Sequence, residues 1–401
     1  MEASAILQNK LTVQKAETPI AFIPRKVPAD WDCFFVRLRA KLRMVWLALK
    51  AYQSVKTARA ALGHFMAFKK MIVGGNGKRK LVKKNGKYGF GLYVPPFPSE
   101  NFDRFILTEL NRTIPHQLPV NAHQQVNFAI TTHCPMRCEH CFEWDNLNHP
   151  ETFTLEELKT ITGTLQNEGL GHISLSGGEP MVRFKDMLEL IRNGSKTTEW
   201  WVLTSGFNLT HDKALQLKAA GATGIVVSID HYDAELHNLF RGHSEAFAHA
   251  TRAVAASGAA GLFTAVSVCI TRANATRDFV MRHLEMCLRI GADYVQWLEP
   301  RAEGHFRNQD VMLGKESIAL LENMFEILNH DPAYKSFPTI VYHGYHQRRI
   351  GCQSGGKFSF YVDAAGMVHS CPFCHSHDFK VTDWLNQPVE ERGLVTACSA
   401  F

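Results

Sequence analysis

Three closely spaced cysteines are the residues whose type and spacing best suit chemistry. Cys134, Cys138 and Cys141 fall within the stretch TTHCPMRCEHCFEW, residues 131–144. Thiolates are soft ligands that suit zinc or iron–sulfur clusters. A structural zinc ion takes four ligands, and His140 between two of the cysteines offers a fourth. A [4Fe–4S] cluster held by three thiolates instead keeps one iron open to a reactant, and the count of three favours this interpretation.

Alternating strand and helix patterns predict the frame that positions these cysteines. Six strand patterns separated by helical patterns run from Val126 to Glu299. This alternation is typical of βα units on a parallel sheet. Six strands are fewer than the eight that close a complete barrel. We therefore predict an α/β fold, a partial (β/α)6 TIM-like barrel, with the cysteines at its C-terminal face, where barrel enzymes hold their active sites.

The C-x3-C-x2-C pattern after the first strand resembles the radical S-adenosylmethionine (radical SAM) superfamily, and further motifs follow in that family's order over roughly residues 126–300. After the second strand comes the GGEP motif, and after the third comes Thr204-Ser205-Gly206, where the family usually reads TNG. An S-x-D…R-G pattern ends the fourth strand, as in members that modify peptides. The resemblance implies cofactor contacts from His140, Gly177, Gly178, Glu179, Pro180, Ser205, Ser228, Asp230 and Arg241.

The resemblance implies a [4Fe–4S] cluster on Cys134, Cys138 and Cys141, with S-adenosylmethionine (SAM) as its reactant. In the family, one electron splits SAM into methionine and a 5′-deoxyadenosyl radical, which abstracts a hydrogen atom from an unactivated carbon. The cofactor supplies the difficult chemistry, while the protein binds, orients and excludes water. The family also implies a flavodoxin- or ferredoxin-type electron donor. Cys269, near the end of the fifth strand, either donates a hydrogen atom to a substrate radical or is an inert buried thiol.

The C-terminal cysteines predict a second metal centre. The spacing from Cys352 through Gly366 to Cys371 resembles the start of a SPASM or Twitch extension, which binds auxiliary iron–sulfur clusters. With Cys374 and Cys398, this predicts one auxiliary [4Fe–4S] cluster, and without Cys398 one iron would stay open. A zinc ribbon is the alternative, with a fourth ligand from His369, His375 or His377.

Charge is divided unevenly along the chain. Residues 1–122 carry 21 Lys and Arg against 7 Asp and Glu, a net of +14, and the remainder carries 23 against 31, a net of −8. Such a split suggests an anionic partner for the first segment. Nothing in it resembles a nucleic-acid-binding motif, so no nucleic-acid partner is expected.

An amphipathic helix is predicted over residues 31–70. Its apolar stripe comprises Phe35, Leu38, Leu42, Val45, Leu49 and Tyr52. Two interpretations stay open: the stripe contacts a membrane surface beside its basic residues, or it packs on the barrel while the charges are solvated.

The predicted domain organisation has four parts. A basic N-terminal α+β extension (1–122) contains the amphipathic helix and a hairpin that turns at Asn85-Gly86. The partial barrel (123–305) is followed by a helical connector (306–345) and a small Cys-rich iron–sulfur domain (346–401). No apolar run is long enough to span a membrane, and the first residues lack a signal-peptide pattern. We expect a cytoplasmic protein with peripheral contact at the inner membrane face.

Three classes of function stay open. The SPASM-like tail favours a radical SAM enzyme that modifies a peptide or small protein. The single auxiliary centre and the basic, amphipathic N-terminal extension favour a radical SAM enzyme that acts on a small-molecule or lipid intermediate at a membrane surface. A non-catalytic iron–sulfur or zinc scaffold is the third class, and the intact GGEP motif argues against it, because a scaffold has no need to hold methionine.

Overall fold

A ten-stranded sheet forms the centre of the molecule. The computed structural model describes residues 27–74, 80–352, 358–373 and 379–392. The sheet order is β12-β11-β10-β3-β4-β5-β6-β7-β8-β9, and every pair from β10 to β9 is parallel. The six strands expected from the sequence are β3 (His123–Ala129), β4 (Leu170–Ser176), β5 (Glu199–Thr204), β6 (Gly224–Ser228), β7 (Phe263–Cys269) and β8 (Tyr294–Leu298). They confirm the α/β partial barrel.

Two further parallel strands extend the barrel beyond the six expected. β9 (Thr339–Tyr342) pairs with β8, and β10 (Ser359–Val362) pairs with β3. Among the described residues β9 and β10 are not paired to each other, so the barrel stays open between them. β9 thus lies within the predicted helical connector, and β10 joins the predicted C-terminal iron–sulfur domain to the main sheet.

Helices cover the outer face of the sheet. Alternate strand residues such as Ile173, Val202 and Ile225 pack with helix residues such as Leu158 and Leu217 in one buried core. The helices that follow the strands are α4 (Leu155–Asn167), α5 (Phe184–Asn193), α6 (His211–Ala220), α7 (Ala234–Arg241), α8 (Ala246–Ala259), α9 (Arg277–Arg289) and α10 (Lys315–His330). The capping box expected at Thr154 is present, with Glu157 returning the bond.

The N-terminal extension closes the N-terminal end of the barrel. Its hairpin pairs β1 (Val82–Lys84) with β2 (Lys87–Gly89) across the expected Asn85-Gly86 turn, whose two residues both have positive φ. Val82 and Leu92 pack against Trp201 and Tyr294, near the N-terminal ends of their strands. The extension therefore forms the base of the barrel.

The expected single helix over 31–70 is two helices, α1 (Asp30–Tyr52) and α2 (Val55–Val73). Gln53 between them adopts a left-handed conformation, and Ser54 caps α2. The buried face of α1 packs on α2 and α3 (Glu100–Asn111) through Cys33, Val36, Ala40, Met44, Leu47 and Ala48. The expected stripe from Phe35 to Leu49 lies on the opposite, exposed face. The buried face includes Ala40 and Ala48, whose small side chains allow close packing. The interpretation that the stripe packs on the barrel was therefore wrong for Phe35 to Leu49, whereas Tyr52 packs against the buried cluster of the extension.

The C-terminal segment is organised around a hairpin. β10 pairs antiparallel with β11 (Met367–His369), which pairs in turn with β12 (Phe379–Lys380). Two short helices, α11 (His343–Ile350) and α12 (Val381–Leu385), precede and follow it. Within the described ranges, no helix has the length and apolarity needed to cross a membrane.

Candidate active site

Backbone hydrogen bonds to two neighbouring segments hold the cysteine loop after β3. Arg137 N and Glu139 N donate to the carbonyl oxygens of Arg241 (3.0 Å) and Phe240 (3.0 Å). On another side, His305 N donates to Cys141 O at 2.9 Å. The residues on either side of Cys138, and Cys141 itself, are therefore held by elements that are distant in sequence.

The GGEP loop after β4 lies directly against the start of the cysteine loop. Gly178 N donates to Thr131 O (2.8 Å), and Glu179 N donates to His133 O (2.8 Å). A Cβ atom at Gly178 would lie 2.3 Å from the His133 carbonyl oxygen, so the approach requires glycine. Gly177 has a φ of +129° and an equally close neighbour. Both glycines line the cavity described below.

The carboxylate of Glu179 is fully occupied by the protein. Its Oε1 accepts from Thr204 Oγ1 (2.6 Å) and Met181 N (3.0 Å), and its Oε2 accepts from Ser205 N (2.8 Å) and Ser205 Oγ (2.6 Å). Burial raises the pKa of Glu179, although these four donors oppose the shift. Four donors fill the acceptor sites of one carboxylate. Glu179 and Ser205 therefore tie the loops after β4 and β5 together, and Pro180 is buried behind them at the start of a short 3₁₀ helix.

Asp230 and Arg241 form a buried ion pair beside the cysteines. Arg241 approaches Asp230 Oδ2 through Nε (2.6 Å) and a terminal nitrogen (2.5 Å), and its other nitrogen lies 3.6 Å from Cys138 Sγ. Asp230 Oδ1 also accepts from Cys269 N (2.8 Å). Burial alone would raise the pKa of Asp230, but the Arg241 charge lowers it to about 2. Burial raises the pKa of the Cys138 thiol, and the Arg241 guanidinium opposes that shift by favouring the thiolate form that metal ligands need.

His140 and the remaining predicted residues also lie at this site. The His140 ring stacks on Phe240 with centroids 4.9 Å apart, and burial lowers its pKa to about 4. The Ser228 hydroxyl lies 3.1 Å from that of Ser267 on the next strand. Burial raises the pKa of the Cys134 thiol to about 12 and raises that of Cys141.

One cavity of about 340 Å³ brings these residues together. Its wall contains the predicted residues Cys134, Cys138, His140, Cys141, Gly177, Gly178, Glu179, Ser205, Ser228, Asp230 and Arg241. Cys269, only 3% exposed, lies in the same wall, and burial raises its thiol pKa. The loops after successive parallel strands thus meet at one end of the barrel, as the strand order predicts.

The cavity also has a polar floor that the sequence did not reveal. Gln296 Nε2 donates to Tyr93 OH (2.7 Å) and to His343 Nε2 (2.9 Å). Burial lowers the pKa of His343 to about 4, so its ring is neutral at pH 7 and accepts this bond. These residues come from the extension, β8 and the residue after β9. No local motif marks them, because the three segments meet only in the folded chain.

Two C-terminal cysteines reach the same cavity. Cys352 and Cys371 line its wall together with Phe373, which packs on Phe142 at 5.8 Å between centroids. The predicted ligands Cys374 and Cys398, and the alternative zinc ligands His375 and His377, lie outside the described residues. His369 is fully buried, and its Nε2 bonds Asp363 Oδ2 at 2.9 Å. Asp363 therefore engages one of the two ring nitrogens of His369.

A buried network joins the cysteine loop to the C-terminal hairpin. Glu143, two residues after Cys141, accepts a hydrogen bond from Tyr361 OH and another from Ala364 N. Asn146 bridges Glu143 and Asp363, at 3.3 Å from each. The two predicted metal-binding segments are therefore parts of one packed unit.

The donor chemistry of this site fits an iron–sulfur cluster. Cys134, Cys138 and Cys141 are free thiols, pack in one apolar cluster and share one cavity wall. Within the described part of the chain, no three His, Cys, Asp or Glu side chains are arranged to hold a metal ion. The match between this site and an iron–sulfur cluster therefore rests on the chemistry of the three thiols and on their position in one cavity wall.

Known proteins resemble this chain in sequence. Residues 128–278 match the family model described as Radical SAM superfamily. The chain is 30% identical over 176 residues to an "AdoMet-dependent heme synthase" of Nitratidesulfovibrio vulgaris, covering 43% of this chain and 46% of that protein. It is 26% identical over 276 residues to the protein of that name in Methanosarcina barkeri, covering 63% and 78%. The matched region thus spans less than half of the first relative.

Solved structures share the fold at low identity. SuiB of Streptococcus suis bound to precursor peptide SuiA superimposes with a TM-score of 0.53 at 11% identity, over 67% of this chain and 66% of that chain. Native anSMEcpe with bound AdoMet and Cp18Cys peptide gives a TM-score of 0.51 at 16% identity, over 68% and 82%. At such low sequence identities, these two similarities show only that the fold is shared.

Proposed function

Because the chain carries a domain of the radical SAM superfamily over residues 128–278, we propose that it cleaves SAM reductively at a [4Fe–4S] cluster and abstracts a hydrogen atom from an unactivated substrate carbon. The observation that carries this proposal is the single cavity that holds the three cysteines, the glycine loop and the Asp230–Arg241 pair. When bound, the cluster and SAM supply the radical chemistry.

The chain's own residues divide the remaining tasks. Cys134, Cys138 and Cys141 would ligate the cluster, and Arg241 favours the thiolate of Cys138. The backbone of Gly177 and Gly178 would contact SAM, because Glu179 has no acceptor site left for it. Asp230 positions Arg241 rather than contacting SAM. Cys352 and Cys371, with Cys374 and Cys398, would hold an auxiliary cluster at the same cavity.

We propose a peptide or small protein as the substrate. Two solved structures with this architecture hold peptides, as their descriptions state. The cavity wall also includes Gly344 and Gln347, which follow β9, and Ser359, which begins β10. These residues lie where the barrel is open between β9 and β10. A barrel that is open at this point can accommodate a peptide substrate that extends beyond the cavity.

A small-molecule substrate is the second candidate. The proteins aligned at 26–30% identity are named for heme synthesis. The floor formed by Tyr93, Gln296 and His343 is neutral, buried and polar, as expected of a site that orients a small ligand by hydrogen bonds. For either substrate we propose a cytoplasmic site of action, where thiols stay reduced, and a flavodoxin- or ferredoxin-type electron donor.

Replacement of Cys134, Cys138 and Cys141 by Ala tests the reaction. After anaerobic reconstitution, we expect the variant to release no 5′-deoxyadenosine from SAM and its iron content to fall from about eight to about four atoms per chain. The matched control replaces Cys33 and Cys287, buried cysteines away from the cavity, and should retain both properties. Unchanged 5′-deoxyadenosine release by the triple variant would refute the mechanism.

The substrate class is tested by fractionating a cell extract by size into peptide and small-molecule pools. The pool that holds the substrate should raise 5′-deoxyadenosine release by the wild-type enzyme. Stimulation confined to the small-molecule pool would favour the second candidate over the peptide.

A further inference from the structure

One face of α1 exposes a continuous band of large apolar side chains. Its members Trp31, Phe35 and Leu42 are 74%, 54% and 61% exposed. Leu38, Trp46 and Leu49 continue the band at helical spacing along the whole helix. Single exposed apolar residues are common on monomers, but a contiguous band of this kind marks an interaction surface.

The exposure does not come from a detached helix. The opposite face of α1 is buried against α2 and α3. Arg43 pairs with Asp103 of α3 at 2.5 Å, and Lys335 reaches Asp30 at the start of α1 at 2.5 Å. The helix is held in place while its band points outward.

Cations border the band on both sides. At 3.6 residues per turn, Arg37 and Lys41 fall along one border, and Arg39 and Lys50 fall along the other. Residues 33–99 contain 15 Lys and Arg and no Asp or Glu. The surface is therefore apolar in its centre and positive at its edges.

A shallow groove of about 590 Å³ runs beside the band. Leu42, Trp46 and Phe97 give it apolar walls, and Arg39, Arg43 and Asp103, the partner of Arg43, line it as well. The Arg43 guanidinium lies 4.2 Å from the Trp46 ring centroid. Indole and guanidinium side by side suit the boundary between acyl chains and phosphate headgroups.

We propose that this face docks the enzyme onto an anionic lipid bilayer, with α1 lying in the plane of the interface. A helix with an apolar face and basic borders binds a bilayer by burying the apolar side chains and attracting anionic headgroups. A second copy of this chain suits the face less well, because a symmetric contact would bring the same cations together. The surface is separate from the cavity, so docking is independent of the reaction proposed above.

Co-sedimentation of the full chain with vesicles tests this proposal. We expect binding to vesicles of phosphatidylcholine and phosphatidylglycerol that weakens as salt rises, and much weaker binding to phosphatidylcholine alone. The double variant Phe35→Glu, Leu42→Glu should reduce partitioning by at least about tenfold. The matched control is Leu215→Glu, an equally drastic change at a 45% exposed leucine on α6, and it should partition as the wild type does.

The charge contribution is tested separately. Replacing Lys41 and Lys50 by Gln should weaken binding about fivefold for each cation removed and flatten the salt dependence. Arg282→Gln, at an exposed arginine on α9, is the matched control.

Two results would overturn the proposal: no binding to either vesicle type, or binding that the band variants leave unchanged. Concentration-dependent dimerisation abolished by Leu42→Glu, without vesicle binding, would assign the face to self-association instead. Since the band residues do not line the cavity, the variants should release 5′-deoxyadenosine at the wild-type rate with a chemical reductant. Failure of docking can thus be told apart from failure of the proposed reaction.

Discussion

The Asp230–Arg241 pair shows how single residues prepare the site. Both side chains are less than 9% exposed, and each has several partners. A buried charge is tolerated only with a partner, because desolvation costs several kcal/mol for each ion. The pair therefore stabilises the fold and also holds a positive charge at Cys138.

Replacement Asp230→Asn should lower the free energy of unfolding by about 3–5 kcal/mol, because it leaves the Arg241 guanidinium buried without a counter-charge. Urea unfolding followed by circular dichroism measures the change. Asp310→Asn removes an exposed partner of Arg272 and serves as the control, with no measurable effect expected. Equal stability of the two variants would contradict the role given to the buried pair.

At the scale of elements, the site depends on close contact between two loops. The glycine loop after β4 and the cysteine loop after β3 run side by side because Gly178 has no side chain to keep them apart. Their hydrogen bonds fix the distance between the predicted cluster ligands and the predicted SAM-binding backbone.

Replacement Gly178→Ala should therefore weaken SAM binding about tenfold or more, equivalent to ~1.4 kcal/mol, because the new methyl group would displace the His133 carbonyl. Calorimetric titration of the reconstituted enzyme with SAM measures this. Gly163→Ala in α4, where no atom lies within 4 Å of the new Cβ, is the matched control and should leave affinity unchanged. Wild-type affinity in both variants would show that the loops can separate without consequence.

Sequence patterns within short stretches predicted most of the helices, strands and turns. The residues of the site that were not predicted depend on contacts between segments that are distant in sequence. Asn85-Gly86 encodes its turn, and Thr154 with Glu157 encodes the start of α4, because the interacting groups are adjacent in the chain. The break at Gln53 is marked locally only by the Ser54 cap, since neither glycine nor proline stands there. Tyr93 and His343 joined the site only through tertiary packing.

For the whole molecule, a set of buried neutral histidines predicts sensitivity to acid. Burial lowers the pKa of each to about 3 or 4; the set comprises His123, His172, His237, His283 and His343. The unfolded chain takes up protons near pH 6.5, where the folded chain does not. The free energy of unfolding therefore keeps its full value above about pH 6.5 and decreases as the pH falls towards 4.

Between about pH 6.5 and pH 4, each of these histidines should add about 1.4 kcal/mol per pH unit to the decrease in the free energy of unfolding. We expect His172→Gln to have a shallower dependence of unfolding free energy on pH, measured by urea unfolding from pH 7 to pH 4.5. His64→Gln, at an exposed position on α2, should keep the wild-type slope. A wild-type slope in the His172 variant would contradict a buried neutral imidazole at that site.

The contact of Tyr93 with Gln296 has a consequence for how this protein evolves. A segment that supplies the floor of the cavity is not an independent module of this chain, because its removal would uncover the barrel at the end opposite the cysteines. We therefore expect the extension and the barrel to fold as one unit. A change of substrate would require paired substitutions on both sides of that contact.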